Sequence, residues 1–266
     1  MRTTSNPAFR NLPVGGGGYA GFNSAPSRFP GADPRYGGAL PITSRPMTVD
    51  DVVTKTAITL GVLAVAGVAT YVSGLWQLAL PAALVGFVLA LVIIFKRLVS
   101  PPLILAYAAV EGVFLGGISG AISTQVQRLT GSSSIVLEAI AGTLLVFAGM
   151  LVVYKTGAVK VTPRFTKWLT GAMIGVVGLM LVNLIANFVV PGGLHLRDGG
   201  PLSIVFSLVC IGIAAFSFLV DFDTADQAIR AGAPEKTAWY IAFGLTVTLV
   251  WLYLEILRLL SYLQSE

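Results

Sequence analysis

Four acidic side chains interrupt or border the long apolar runs of this 266-residue chain. Glu111 stands in Val110-Glu111-Gly112-Val113-Phe114-Leu115-Gly116, Asp221 and Asp223 in Asp221-Phe222-Asp223-Thr224, and Glu255 in Leu252-Tyr253-Leu254-Glu255-Ile256-Leu257-Arg258. A carboxylate at the centre of a hydrocarbon span costs roughly 2.5–3.5 kcal/mol on insertion scales, so its default reading is functional. The chemistry open to such groups is proton exchange and weak ligation of hard cations. Two acids facing each other in low dielectric do not both ionise easily, so one keeps a proton near neutral pH. Once ionised, carboxylates and backbone carbonyls suit a passing Ca²⁺, although a tight site needs six to eight oxygens.

Each acid also has a plainer reading. Asp221 and Asp223 fall at the end of an apolar run, where charge is cheap. Glu255 and Arg258 are three residues apart and can neutralise one another on one helix. Glu111 has no basic neighbour in sequence, so it needs a partner from another helix or a proton. Glu138 lies near the end of its run and reaches water. Asn183 and Asn187 share a helix face and are expected to hydrogen-bond between helices.

The elements that position these groups follow from composition. Apolar residues make up 55% of the chain and charged residues 11%, too little polar surface to cover a soluble domain of this size. The apolar runs are long and unbroken, which predicts spanning helices rather than the alternating strands of a barrel. Seven are expected, near Thr54–Ser73, Trp76–Phe95, Leu103–Ser123, Ile135–Tyr154, Trp168–Val190, Leu202–Val220 and Ala238–Leu263. The first two are separated by Gly74 and Leu75 alone, which predicts a tight hairpin or a frayed end. Gly112, Gly116, Gly117 and Gly120 in the third run, and Gly171, Gly175 and Gly178 in the fifth, give faces on which helix backbones approach closely. The fold class is therefore an all-α membrane protein, a seven-helix transmembrane bundle over residues 51–266.

Residues 1–50 differ. They are rich in Gly, Pro, Ser and Arg and lack apolar periodicity, which predicts a disordered cytoplasmic tail. Its arginines are Arg2, Arg10, Arg28, Arg35 and Arg45. Of the 17 basic residues, 14 fall on the side of the tail and only Arg128, Arg197 and Arg258 on the other. That asymmetry predicts a cytoplasmic N-terminus in a multi-pass cell-membrane protein, and accounts for the net charge of +5 without a nucleic-acid partner.

Enzyme chemistry is not expected. The single histidine, His195, lies in a loop beside Arg197 and Asp198, away from any apolar run, so a serine–histidine intramembrane hydrolase is not indicated. No Asp lies at a span centre, as an aspartyl intramembrane protease requires. The last span has no lysine for a Schiff base, and neither a phosphate loop nor a Cys/His cluster occurs. No cofactor is expected; H⁺ or Ca²⁺ is a permeant or regulatory ion. The expected partners are the lipid bilayer and, through a small-residue helix face, another membrane protein.

The Glu-Gly-x-x-Leu-Gly stretch at Glu111, the Asp223-Thr224 pair and Leu252-Tyr253-Leu254-Glu255 occur in an order that resembles the Bax inhibitor-1 (transmembrane Bax inhibitor motif) family, and the long Gly/Pro-rich tail resembles its bacterial branch. The resemblance covers roughly residues 51–266. It implies a seven-helix bundle with the last helix near the centre, and a pH-sensitive calcium leak in the inner membrane of a bacterium. It also implies a sensor pair with one acid on helix six and one on helix seven. Carried over by motif, these are Asp223, with Asp221 as a possible substitute, and Glu255. The pH-sensor and ion-pathway candidates are therefore Glu111, Asp221, Asp223, Glu255 and Arg258, with transient Ca²⁺ contact at Asp223 and Glu255. Some bacterial relatives are thought to modulate a membrane protease, so a non-transporting interaction protein is the alternative.

The spacing departs from the family in one respect. An antiparallel turn near Ala233 or Pro234 sets Asp223 opposite Leu245, and Glu255 level with Gly212 or Ile213. The offset of about ten residues is on the order of 15 Å at 1.5 Å per residue. Without a gap, the family's second acid falls near Thr248, which does not titrate.

Overall fold

The structure, a computed structural model, describes residues 45–131, 134–189, 194 and 196–265. Among them are seven long helices: α1 Val49–Ser73, α2 Ala79–Lys96, α3 Pro101–Thr130, α4 Ile135–Thr156, α5 Pro163–Val189, α6 Pro201–Arg230 and α7 Thr237–Ser265. All seven are long and apolar enough to cross a membrane, a single 3₁₀ turn at Trp76–Leu78 being counted with α2. The helices outrun the apolar segments, most of all at the ends of α3 and α6. The intrahelical ladder continues through Gln125–Thr130 and Thr224–Arg230, where side chains reach the polar boundary and need no apolar partner.

Local signals fix the ends. Thr48 caps α1 through a box in which its hydroxyl and backbone N–H meet the Asp51 side chain at 2.7 and 2.9 Å. Pro101 and Pro102 occupy the first turn of α3, where a missing N–H is harmless. Gly74 ends α1 with φ of 68°, a left-handed turn that glycine adopts without strain. No hairpin follows it: α1 and α2 each pack on α3 rather than on one another. The two-residue link reverses the chain, but the glycines of α3 offer both helices a closer approach than they can offer each other.

The core is organised around α7, which touches α1, α3, α4 and α6. Of its apolar window 72% is buried, against 11% for α5, which packs chiefly on α6. The N-terminal segment from residue 45 is tied into this bundle. Met47 is buried and donates its N–H to the Ala233 carbonyl at 2.8 Å. Lys55 reaches Glu235 at 3.0 Å, and Arg45 pairs with Asp51 at 2.7 Å. The expected tail therefore ends sooner than residue 50, because Arg45–Asp50 find partners on α1 and on the α6–α7 turn. The rest of that tail, His195 and the Pro191-Gly192-Gly193 turn lie outside the described residues.

Candidate functional site

The stripe that carries the chemistry runs along α7. Thr248, Glu255 and Tyr262 recur every seven residues and so share one face of the helix. Each meets a polar group of α6 or of the loop before it. The Thr248 hydroxyl donates to Asp221 Oδ2 at 2.7 Å. Glu255 Oε1 accepts from Arg258 at 3.1 Å and from Arg197 at 3.4 Å. The Tyr262 hydroxyl donates to the Arg197 carbonyl at 3.1 Å.

Asp221 is thus the acid of α6 that faces α7. It sits on a buried stripe of small residues, Cys210, Ala214 and Ser217, at spacings of four, three and four. Two residues on, Asp223 has turned by about 200° and points away. It accepts from Gln227 at 2.6 Å and lines an open cavity of about 530 Å³ with Tyr154, Lys155, Lys160, Asp226 and Arg230. This reverses the motif-based order of the two aspartates. Among the described residues, no Lys or Arg lies within ion-pair distance of Asp221.

Glu255 is 2% exposed and held by two guanidiniums, both converging on Oε1. Its Oε2 is buried without a hydrogen-bond partner. The expected pairing with Arg258 is present; the contact from Arg197 is additional. Asp223 and Glu255 do not meet, as the helix offset requires, so neither the shared proton nor the shared Ca²⁺ contact expected of that pair has a geometric basis. The partners of Glu255 are cations already, and that of Asp223 is an amide.

Glu111 lies between α2 and α3. Its carboxyl is seated against Gly86, where an added methyl would fall 3.0 Å from Oε1. The Tyr107 hydroxyl, one turn earlier, is its polar neighbour, and Oε2 is buried without a partner. Tyr107 is itself fixed edge-on to Phe243 of α7, with ring centres 4.9 Å apart.

Two hydroxyl pairs were not singled out by the sequence reading. Ser119 of α3 bonds Tyr253 of α7 at 2.7 Å, and Ser123 bonds Tyr71 of α1 at 3.3 Å. Their signal was the placing of two serines four residues apart on the glycine face of α3. Asn183 bonds not to a helix but to the Leu194 backbone N–H at 2.8 Å, anchoring the loop after α5. Glu138 joins Ser134 and also Gln264 near the end of α7. Among the described residues no group of three metal-ligating side chains occurs.

Seven spanning helices around one central helix, with carboxylates sealed at its contacts, define a polytopic α-helical membrane protein. The family described as Bax inhibitor 1 like matches residues 6–265, and the chain belongs to that family. No curated protein matches it.

Proposed function

We propose that the protein is a pH-sensitive cation leak, passing Ca²⁺ through the bundle, with Asp221 as the titrating group. The observation that carries this reading is the setting of Asp221. Its carboxyl lies at the α6–α7 contact with a neutral hydroxyl, Thr248, as partner and no basic side chain to fix its charge. Protonated, it leaves the contact neutral. Ionised, it presents an uncompensated negative charge, which a cation from solution can satisfy. The like-charge mechanism expected for a facing acid pair is replaced, because Thr248 stands where the family resemblance puts the second acid.

Glu255, two helical turns further along the same stripe, is the next carboxylate on the route. Glu111 lies off that stripe and acts on the α2–α3 contact. In this reading the protein sits in the cell membrane with its basic, N-terminal face in the cytoplasm. Calcium flux into liposomes loaded with an indicator tests the proposal. Asp221→Asn is expected to flatten the pH dependence of flux between mildly acidic and neutral conditions, while Asp223→Asn leaves the profile intact. A wild-type pH profile in Asp221→Asn overturns the reading.

One observation favours the alternative of a membrane interaction protein. The glycine face of α5 is open: nothing lies within 4 Å of where side chains at Gly171, Gly175 or Gly178 would begin. Such a face suits another helix. In that reading Gly175→Leu abolishes association with the partner and leaves ion flux unchanged.

A further inference from the structure

The loop between α5 and α6 crosses from one helix to another on the face opposite the N-terminal segment. It is anchored to α5 by the Asn183 contact to Leu194 and to α7 by Arg197. Arg197 makes three contacts there: Glu255 at 3.4 Å, the Met180 sulfur at 3.3 Å, and the Tyr262 hydroxyl on its carbonyl at 3.1 Å. The arrangement is electrostatically lopsided. Two guanidiniums share one oxygen of one carboxylate, and the other oxygen has no hydrogen-bond partner. The cluster of Arg197, Arg258 and Glu255 carries a net charge of +1, which repels a cation approaching that mouth of the bundle.

The two arginines are not equivalent. Arg258 is three residues from Glu255 on the same helix, makes the shorter contact and cannot leave without unwinding α7. Arg197 is borne by a loop, makes the longer contact and is 30% exposed. Burial and the neighbouring Arg258 guanidinium hold Arg197 below the ordinary arginine value, against the pull of Glu255. Of the two, Arg197 is the one that can be exchanged.

We propose that Arg197 is a tethered competitor for the permeant cation: its guanidinium occupies the side of Glu255 that faces the loop, closes that mouth, and leaves before a metal ion reaches the carboxylate. The vacated site takes a hard inorganic cation such as Ca²⁺, on Glu255 and the oxygens beside it. Six to eight oxygens are not gathered there, so binding is weak and passage is possible. This inference rests on the leak reading above, and it adds a second control point about 10 Å along α7 from the Thr248 contact, seven residues at 1.5 Å each.

The test combines two measurements on the full chain in liposomes. One is Ca²⁺ flux. The other is the distance between spin labels at Leu194→Cys and Leu263→Cys, both exposed positions, in a Cys210→Ala background. Arg197→Met is expected to add a longer-distance population and raise flux roughly two- to fivefold, the scale of one lost half-exposed ion pair. Arg197→Lys, which keeps the charge, stays near wild type in both. Glu255→Gln frees the loop in the same way but does not raise flux, because the cation's ligand has gone with it. Opposite flux effects with the same loop release support the proposal. Equal gains in Arg197→Met and Glu255→Gln mark a merely structural tie and overturn it. Wild-type distance and flux in Arg197→Met, with the Asp221-dependent pH profile present, overturn the proposal and leave the leak reading standing. Loop release without Ca²⁺ flux in any variant, wild type included, overturns both.

Discussion

Helices α3 and α5 carry the same sequence signal and come to opposite ends. In each, glycines recur at helical spacing on one face. On α3 every one of them is filled: Gly112 meets the Leu63 carbonyl, Gly116 the Gly67 carbonyl, Gly117 the Ala79 methyl and Gly120 the Trp76 indole. On α5, Gly171, Gly175 and Gly178 meet nothing. Small residues permit close approach; they do not supply the helix that approaches. The difference lies in topology. α3 has α1, α2 and α7 packed around it, whereas α5 leans chiefly on α6.

A single substitution, Gly→Ala, sharpens the comparison because it should change sign between the two helices. The largest loss is expected for Gly116→Ala, whose methyl overlaps the Gly67 backbone. No side chain can swing aside, so α1 and α3 must separate. Overpacking of this kind costs about 3 kcal/mol, the upper end of its usual range. Gly120→Ala meets the Trp76 ring, which can rotate towards the boundary, and costs about 2 kcal/mol. Thermal unfolding in detergent reads both. A Gly116→Ala protein as stable as wild type would show that the α1–α3 seam is looser than these distances require.

Gly86→Ala comes next and bears on function. Its methyl falls 3.0 Å from Glu111 Oε1, the end of a flexible side chain that can give way. The expected loss is about 1 kcal/mol. Glu111→Gln in the same background should remove little of it, since the amide fills the same space. Full rescue by Glu111→Gln would mean that the charge of Glu111, not its size, is what Gly86 accommodates.

The same contrast explains how much was legible beforehand. Seven helices follow from seven runs of about 20 apolar residues, a demand the bilayer makes on any chain that crosses it. The central place of α7 was implied by family resemblance, and its burial agrees with it. Which aspartate faces α7 was also within reach: Asp221 continues the stripe of Cys210, Ala214 and Ser217, while Asp223 does not. A two-residue motif carries no such rotational information. The partner of Glu255 was half legible. Arg258 lies on the same helix, so spacing finds it. Arg197 lies 58 residues away in a loop, and nothing local marks it. Its only trace was charge: of the three basic residues on the less basic face, two converge on Glu255.

The smallest effect is expected on α5, and it discriminates best. Gly175→Ala adds a methyl into open space and removes the backbone freedom of a helical glycine, so the isolated protein should gain up to about 1 kcal/mol. Gly61 of α1 offers an internal control. It too meets nothing within 4 Å, and Gly61→Ala should gain a similar amount. If both substitutions stabilise the protein in detergent, and Gly175→Ala alone loses that gain in the native membrane, a helix packs on the α5 face there. Equal gains in detergent and membrane would mean that α5 faces lipid, and that its glycines serve no contact.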